Sequence, residues 1–424
     1  MRKHGLGMGM VLTMLLSITA CSAQTDAATS RNQATATPAA LAPLSTPVAP
    51  LDPEAMINDM IAKMTLDQKI GQMFMVEFLG NQYNGYLDGM IRGAHVGGLL
   101  IYNNDQRTIP EMQQLNADAQ ANADFPLFLA LDEEGGEVNR LAEFYGYFPP
   151  AQTMAESGDP SYAEGEGAKA ARLMLGLGFN VNLAPVVDVA TIPNPVEGTR
   201  IFADTPTKTD LYAGAFLAGT QSQGVAGALK HWPGIGASTG DPHSSLPMVP
   251  HSLNELNSID YAAFKGLLSQ GPAMIMVTHV MVPAVDPTYP ATLSSTLVNG
   301  TLRGKLGYQG VVITDSLHME GIYDFERSRG ITDYPRMLDE ATIQAILAGD
   351  DILEGGFDPF SAQSMLQAVH DAVQSGRIPL SRIEESDRRI LRLKWAYNIG
   401  TDRLLKAAGV TAQQGHLSTA RVAF

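Results

Sequence analysis

Two stretches of this chain hold side chains that can move a proton and attack a carbon centre. In "GDPHSSLP", Asp241 and His243 stand two residues apart on a loop-forming segment. The neighbouring carboxylate favours the imidazolium and orients the ring, so His243 can give and retrieve a proton near neutral pH. Pro242 stiffens that segment, while Gly234, Gly236 and Gly240 leave it room to move. In "VVITDSLHMEG", Asp315 closes a short apolar run. A short, stiff carboxylate at the rim of a buried strand suits nucleophilic attack. Each has a plainer alternative: Asp315 as the cap of the next helix, and Asp-x-His as an ordinary surface pair.

A second set of residues can bind. Lys230 and His231 end "VAGALKH", Arg200 lies in "EGTRIF", and Asp132 and Arg140 flank "DEEGGEVNR". Charged donors and acceptors gathered in one ring suit a polyhydroxylated ligand, each of whose hydroxyls both donates and accepts. The alternative for Arg140 and Arg200 is a structural role, as partners of Asp132 and Glu134.

Elements that could bring these groups together are legible. Eight apolar runs recur: "QMFMVEF", "VGGLLIY", "PLFLALD", "FNVNLAP", "VAGALKH", "AMIMVTH", "GVVITD" and "DDILEG". None alternates strictly, as expected for parallel strands covered on both faces. Between them, helical spacing marks 108–123, 162–178, 209–224 and 254–271, and a helix capped by Ser381 closes the series. Strands alternating with helices predict a (β/α)8 TIM barrel over 54–400, with a doubly wound open sheet as the lesser option. An inserted loop near residues 142–161 accounts for the long interval between the third and fourth strands. Asp132, Lys230, His231, His279 and Asp315 close four of the runs. The C-terminal face of such a barrel would gather them at one mouth.

Composition narrows the partners. The chain has 424 residues, 45% of them hydrophobic, enough for a sizeable core, and a formal net charge of −16. That average field repels nucleic acid, which is excluded as a partner. Residues 1–20 read as an export signal: Arg2 and Lys3, a short apolar run, then small residues. Cys21, the single cysteine, follows Ile18-Thr19-Ala20 and resembles a bacterial lipoprotein processing site, which predicts lipid attachment there; the alternative is a chance cysteine beside an ordinary cleavage site. Residues 21–53, rich in Ala, Thr, Pro and Ser, then form a flexible stalk, and 401–424 a C-terminal tail. The expected location is extracytoplasmic, on a bacterial membrane through that anchor.

The combined segments resemble glycoside hydrolase family 3, in its β-N-acetylglucosaminidase branch. "ALKHWPGIGASTGDPHSSLP" is similar to the family's Lys-His-Phe-Pro-Gly-His-Gly…Asp-Ser-His segment, and "LDEEGGEVNR" to Asp-Gln-Glu-Gly-Gly-x-Val-x-Arg. "NLAPVVDV", "EGTRIF", "MVTHVMVPAVDPTYPATLS" and "VVITDSLHMEG" follow in the same order. The resemblance implies a retaining mechanism with Asp315 as nucleophile and an Asp241–His243 acid/base dyad. It places sugar-binding roles on Asp132, Arg140, Arg200, Lys230 and His231, with no cofactor or metal. Two positions depart from the pattern: Ile235 replaces the family's second His, and Pro242 replaces Ser. The family's common second domain is not expected. The implied substrate is a terminal β-linked N-acetylglucosamine on a wall fragment (muropeptide) or chito-oligosaccharide, cleaved by a monomer. Three rivals stand beside it: a β-N-acetylglucosaminide phosphorylase, a non-catalytic sugar-binding lipoprotein, and a metal-dependent barrel hydrolase using Lys230, His231 and His279.

Overall fold

A computed structural model describes residues 52–102, 107–192, 197–238, 240–356 and 358–407. The leader at 1–20, Cys21, nearly all of the 21–53 stalk and residues 408–424 lie outside the described residues.

Each apolar run contributes a strand: β1 Phe74–Phe78, β2 Gly98–Ile101, β3 Phe128–Leu131, β4 Val181–Asn182, β5 Ala226–Trp232, β6 Met274–Val277, β7 Val311–Thr314 and β8 Leu353–Gly355. All are buried along their length, because helices cover one face and the barrel interior the other. Neighbours pair in parallel in the order β8-β1-β2-β3-β4-β5-β6-β7. Met75 lies opposite Glu354, and Ala228 opposite Met274. The barrel closes where Ile313 bridges Ile352 and the Thr314 N–H donates to Ile352 O at 2.9 Å. The (β/α)8 barrel is therefore the architecture, and the open-sheet option is not.

The principal helices are α1 Pro53–Lys63, α2 Ile109–Asn122, α3 Pro160–Leu177, α4 Pro206–Ser222, α5 Tyr261–Leu267, α6 Glu320–Ser328, α7 Tyr334–Ala348, α8 Pro359–Gln374, α9 Leu380–Ala396 and α10 Thr401–Ala407. Sequence signals set their ends. Thr108 and Glu111 form a reciprocal capping box at α2, and Gly178 ends α3 at φ 94°, which a Cβ would oppose. α3 and α4 approach so closely that a Cβ on Gly219 would stand 2.0 Å from Glu164 O. Two expectations change. The helix expected over 254–271 is uneven, widening at Leu256–Asp260 and tightening at Leu268–Gln270. Ser381 is not a cap: α9 starts one residue earlier at Leu380, behind Pro379, whose ring fixes φ without any side-chain hydrogen bond.

At the start of α1 Asp52 accepts the Glu54 N–H at 3.0 Å, and α10 buries Leu404 and Leu405 with Met56 and Met60 of α1. The interval between β3 and β4 holds a hairpin, Glu133–Gly135 with Val138–Asn139, and short helices at Ala142–Tyr145 and Ala151–Glu156. At the end of β5, Trp232 stacks on Tyr261 with ring centres 5.0 Å apart and meets Phe264 edge-on at 5.1 Å. Such aromatic contacts add about 0.5–1.5 kcal/mol each beyond area burial. They pin the strand end that carries Lys230 and His231.

Candidate active site

Asp315 follows β7 directly, and four neighbouring groups fix it. Its N–H donates to Val277 O at 2.7 Å. The Thr278 hydroxyl donates to Oδ2 at 2.7 Å, and the Ser316 N–H to Oδ1 at 3.1 Å. His279 Nε2–H donates to Ser316 O at 2.8 Å, which leaves Nδ1 to accept the Thr292 hydroxyl at 2.8 Å. His279 is thus a brace for the Asp315 turn, wholly buried and kept neutral by that burial. Burial alone would push the Asp315 carboxyl up. His231, the Thr278 hydroxyl and His243 together outweigh it and hold the group below its ordinary value. Asp315 is an anion with restricted rotation, as a nucleophile at a carbon centre requires.

Opposite it stands a charged wall built from β3, the hairpin, the β4 loop and β5. Lys230 Nζ lies 2.7 Å from Asp132 Oδ1 and 2.6 Å from Glu134 Oε1. Arg200 grips Glu134 with two parallel bonds, at 2.8 Å through Nε and 3.0 Å through Nη2, and reaches Glu197 Oε1 at 3.2 Å. Burial disfavours the Lys230 ammonium, yet Asp132 and Glu134 more than compensate and keep its pKa above the usual lysine value. Burial likewise opposes the Glu134 carboxylate, and Lys230 with Arg200 reverses the effect. These pairs engage two of the three Lys230 ammonium protons. Arg200 pairs with Glu134 and Glu197 and faces His231. The Arg140 guanidinium lies 5.9 Å from the centre of the Tyr102 ring, whose hydroxyl stands 3.5 Å from Glu354 Oε1.

His231 is oriented by Asp188, whose Oδ2 accepts Nδ1–H at 2.7 Å, and its Nε2 faces Arg200 Nη2 at 3.5 Å. Burial works against a charged ring, but Glu197 and Asp188 raise its pKa. Ligand atoms of Asp188, Glu197 and His231 fall within 4.8 Å of one another. They do not suit a metal ion: the Asp188-facing nitrogen carries a proton, and the Arg200 guanidinium already fills the position beside Glu197 and His231.

The loop after β5 carries the third component. Asp241 Oδ1 accepts both the His243 N–H at 2.9 Å and its ring Nδ1–H at 2.8 Å, so Nε2 is turned outward. The His243 side chain is 63% exposed. The loop is tied to the helix that follows Asp315: Gly321 N–H donates to Pro242 O at 3.0 Å, and Leu246 N–H to Asp324 Oδ2 at 3.1 Å. His243 is near enough to add to the field at both Asp315 and His279. The structure therefore brings Asp315, Asp132, Lys230, His231, Arg200 and the Asp241–His243 pair to one mouth.

Sequence reading overlooked two acids in that mouth, Glu77 of β1 and Glu354 of β8. Glu77 accepts a short hydrogen bond from the Ser316 hydroxyl. Burial raises its pKa to about 7, with Asp315 and Asp132 adding to the rise. Glu354 is pushed up further by burial, Glu77 and Asp315. A charged residue inside an apolar strand, as in "FMVEF", was the available signal. Ile235, where the resemblance expects His, is buried in the apolar cluster with Trp232 and Val187.

Residues 65–393 match the Glycosyl hydrolase family 3 N terminal domain. "Beta-hexosaminidase A" of Pseudoalteromonas piscicida is 30% identical over 378 residues, covering 78% of this chain and 61% of that protein, so this chain spans under two thirds of that relative. "Beta-hexosaminidase LpqI" of Mycobacterium tuberculosis is 31% identical over 311 residues, 72% of this chain and 77% of that protein. A family 3 beta-N-acetylglucosaminidase structure from Paenibacillus sp. str. FPU-7 superposes with a TM-score of 0.74 at 33% identity, covering 84% of this chain and 65% of that one. The barrel, its mouth and this match over most of its length place the chain in glycosyl hydrolase family 3.

Proposed function

We propose that the protein is a retaining β-N-acetylhexosaminidase that removes terminal non-reducing N-acetylglucosamine from muropeptides or chito-oligosaccharides. Asp132, Lys230, Arg200 and His231 hold the sugar's hydroxyls on one wall, and Arg140 belongs to the outer edge of that set. Protonated His243 gives its proton to the leaving oxygen while Asp315 attacks the anomeric carbon. The C–O bond electrons leave with the departing alcohol, and a glycosyl-enzyme ester forms. Neutral His243 then takes a proton from water as the water oxygen attacks the anomeric carbon, the Asp315 carboxylate leaves with the ester C–O electrons, and the sugar departs with its configuration retained. Proton transfer of this kind contributes roughly 10²–10⁴ in rate.

One observation carries the reading: an Asp315 held anionic, with a carboxylate-oriented imidazole on a loop docked to the helix just beyond it. The names of its relatives support the amino-sugar substrate. In keeping with the leader sequence, we place the protein outside the cytoplasm, tethered through lipidated Cys21 and acting as a monomer. Incubation of the purified protein with chito-oligosaccharides and muropeptides should release N-acetylglucosamine, and Asp315→Ala should abolish release. No release from any β-N-acetylglucosaminide, aryl glycosides included, would contradict the proposal.

A further inference from the structure

On the β7–β8 side of the mouth, three rings form a hydrogen-bonded chain whose proton directions follow from geometry. Gly356 N–H donates to His318 Nε2 at 2.8 Å, so the ring's proton lies on Nδ1. Nδ1 stands 3.1 Å from the hydroxyl oxygens of both Tyr323 and Tyr334. Those oxygens are 2.9 Å apart. Burial lowers the His318 pKa to about 4, in accord with a neutral ring that donates at Nδ1 and accepts at Nε2. Tyr323 is only 7% exposed and donates to the Tyr334 oxygen. The Tyr334 oxygen therefore accepts from within the chain. Its own proton must point out of it, and Tyr334 is 42% exposed.

The position of this donor matters. His318 lies three residues after Asp315, Gly356 follows β8, and Tyr334 begins α7. In the barrel order the β7–β8 side stands across the mouth from β3–β5, where Asp132, Lys230 and Arg200 form the sugar-holding wall. The loop bearing His243 spans the two sides, since it leaves β5 and docks on α6 after β7. A sugar held at β3–β5 with its glycosidic oxygen under His243 sends its leaving group toward β7–β8.

We propose that Tyr334 is a binding residue for the leaving-group saccharide, its outward hydroxyl donating to an oxygen of the second sugar and its ring offering a stacking face. This rests on the glycosidase reading above and deepens it. Nothing in the bond-breaking step requires Tyr334, so loss of its hydroxyl alone should spare substrates that lack a second sugar.

The test compares N,N′-diacetylchitobiose with an aryl N-acetyl-β-glucosaminide on the wild type, Tyr334→Phe and Tyr334→Ala. Loss of one hydrogen bond predicts a KM for the disaccharide raised about fivefold in Tyr334→Phe, at nearly unchanged kcat. Tyr334→Ala should raise it further, and Tyr334→Phe, which keeps the stacking face, should stay within about twofold of wild type on the aryl glycoside. Equal losses on both substrates, or none on the disaccharide, would overturn the assignment while leaving the glycosidase reading in place. A wild type that cleaves neither substrate would instead contradict the glycosidase reading and take this assignment with it.

Discussion

Asp188 secures His231 at two points. Its Oδ2 accepts the ring Nδ1–H at 2.7 Å and the His231 backbone N–H at 3.2 Å, while Oδ1 takes the Ile235 N–H at 2.8 Å. One buried carboxylate thus sets the tautomer of a ligand-facing imidazole and hooks the start of the loop that carries His243.

Asp188→Asn separates these duties. An amide can keep its oxygen on His231, but its NH2 then faces the Ile235 N–H, donor against donor. Unfolding in urea should show a loss of about 1–3 kcal/mol, the cost of one buried unsatisfied group. Aryl glycoside turnover should fall roughly tenfold, about 1.4 kcal/mol in the barrier. Wild-type stability in this variant would mean that Asp188 is not the link described.

Gly321 tests the docking of the loop. A Cβ there would meet Ser245 O at 3.1 Å, His279 Cβ at 3.2 Å and Pro242 O at 3.3 Å. The branched side chain of Gly321→Val should push the loop outward with His243. The kcat/KM for the disaccharide should drop roughly 10–100-fold, as misplacement of a catalytic group does, while kcat/KM for aryl glycosides with good leaving groups, which reports glycosylation alone, loses far less. Equal losses on both would show that the damage had reached Asp315 instead.

Glu133 gives a pH signature. It is buried on the hairpin, and its Oε2 accepts the Leu141 N–H at 2.8 Å. Burial, with Glu134 adding, raises its pKa from 4.5 to about 8 despite the Leu141 bond. The folded state binds this proton more tightly than the unfolded state. Its contribution to stability is therefore complete below the unfolded value of 4.5 and declines as pH rises toward about 8. Glu133→Gln keeps the acceptor and removes the titration. Between about pH 5 and about pH 8.5 its stability should gain roughly 4 kcal/mol on the wild type in urea unfolding, about 1.4 kcal/mol per pH unit across most of that window. A difference constant with pH would contradict the assignment.

The barrel could be read in the sequence because strands covered on both faces are written as continuous apolar runs. The mouth could be read because a barrel gathers strand ends. Asp315, Lys230 and His231 stood out as polar residues closing such runs. The partners of these residues did not. Asp188 and Glu134 meet His231 and Lys230 only through neighbouring strands and their loops, and no local spacing encodes which carboxylate faces which cation. Glu77 and Glu354 sit 277 positions apart and become neighbours only when β1 pairs with β8. The interruption of the 254–271 helix escaped detection because apolar spacing of three to four residues tolerates one widened turn.

Asp315 as the nucleophile from below and His243 as the acid/base from above are both addressed by one experiment. His243→Ala should still be glycosylated by an aryl N-acetyl-β-glucosaminide, whose leaving group needs little protonation, and should then stall because water lacks its base. Intact-protein mass spectrometry should find one N-acetylhexosaminyl group per chain, and peptide mapping should place it on Asp315. An adduct on another residue, or none while the aryl alcohol is still released, would contradict the mechanism.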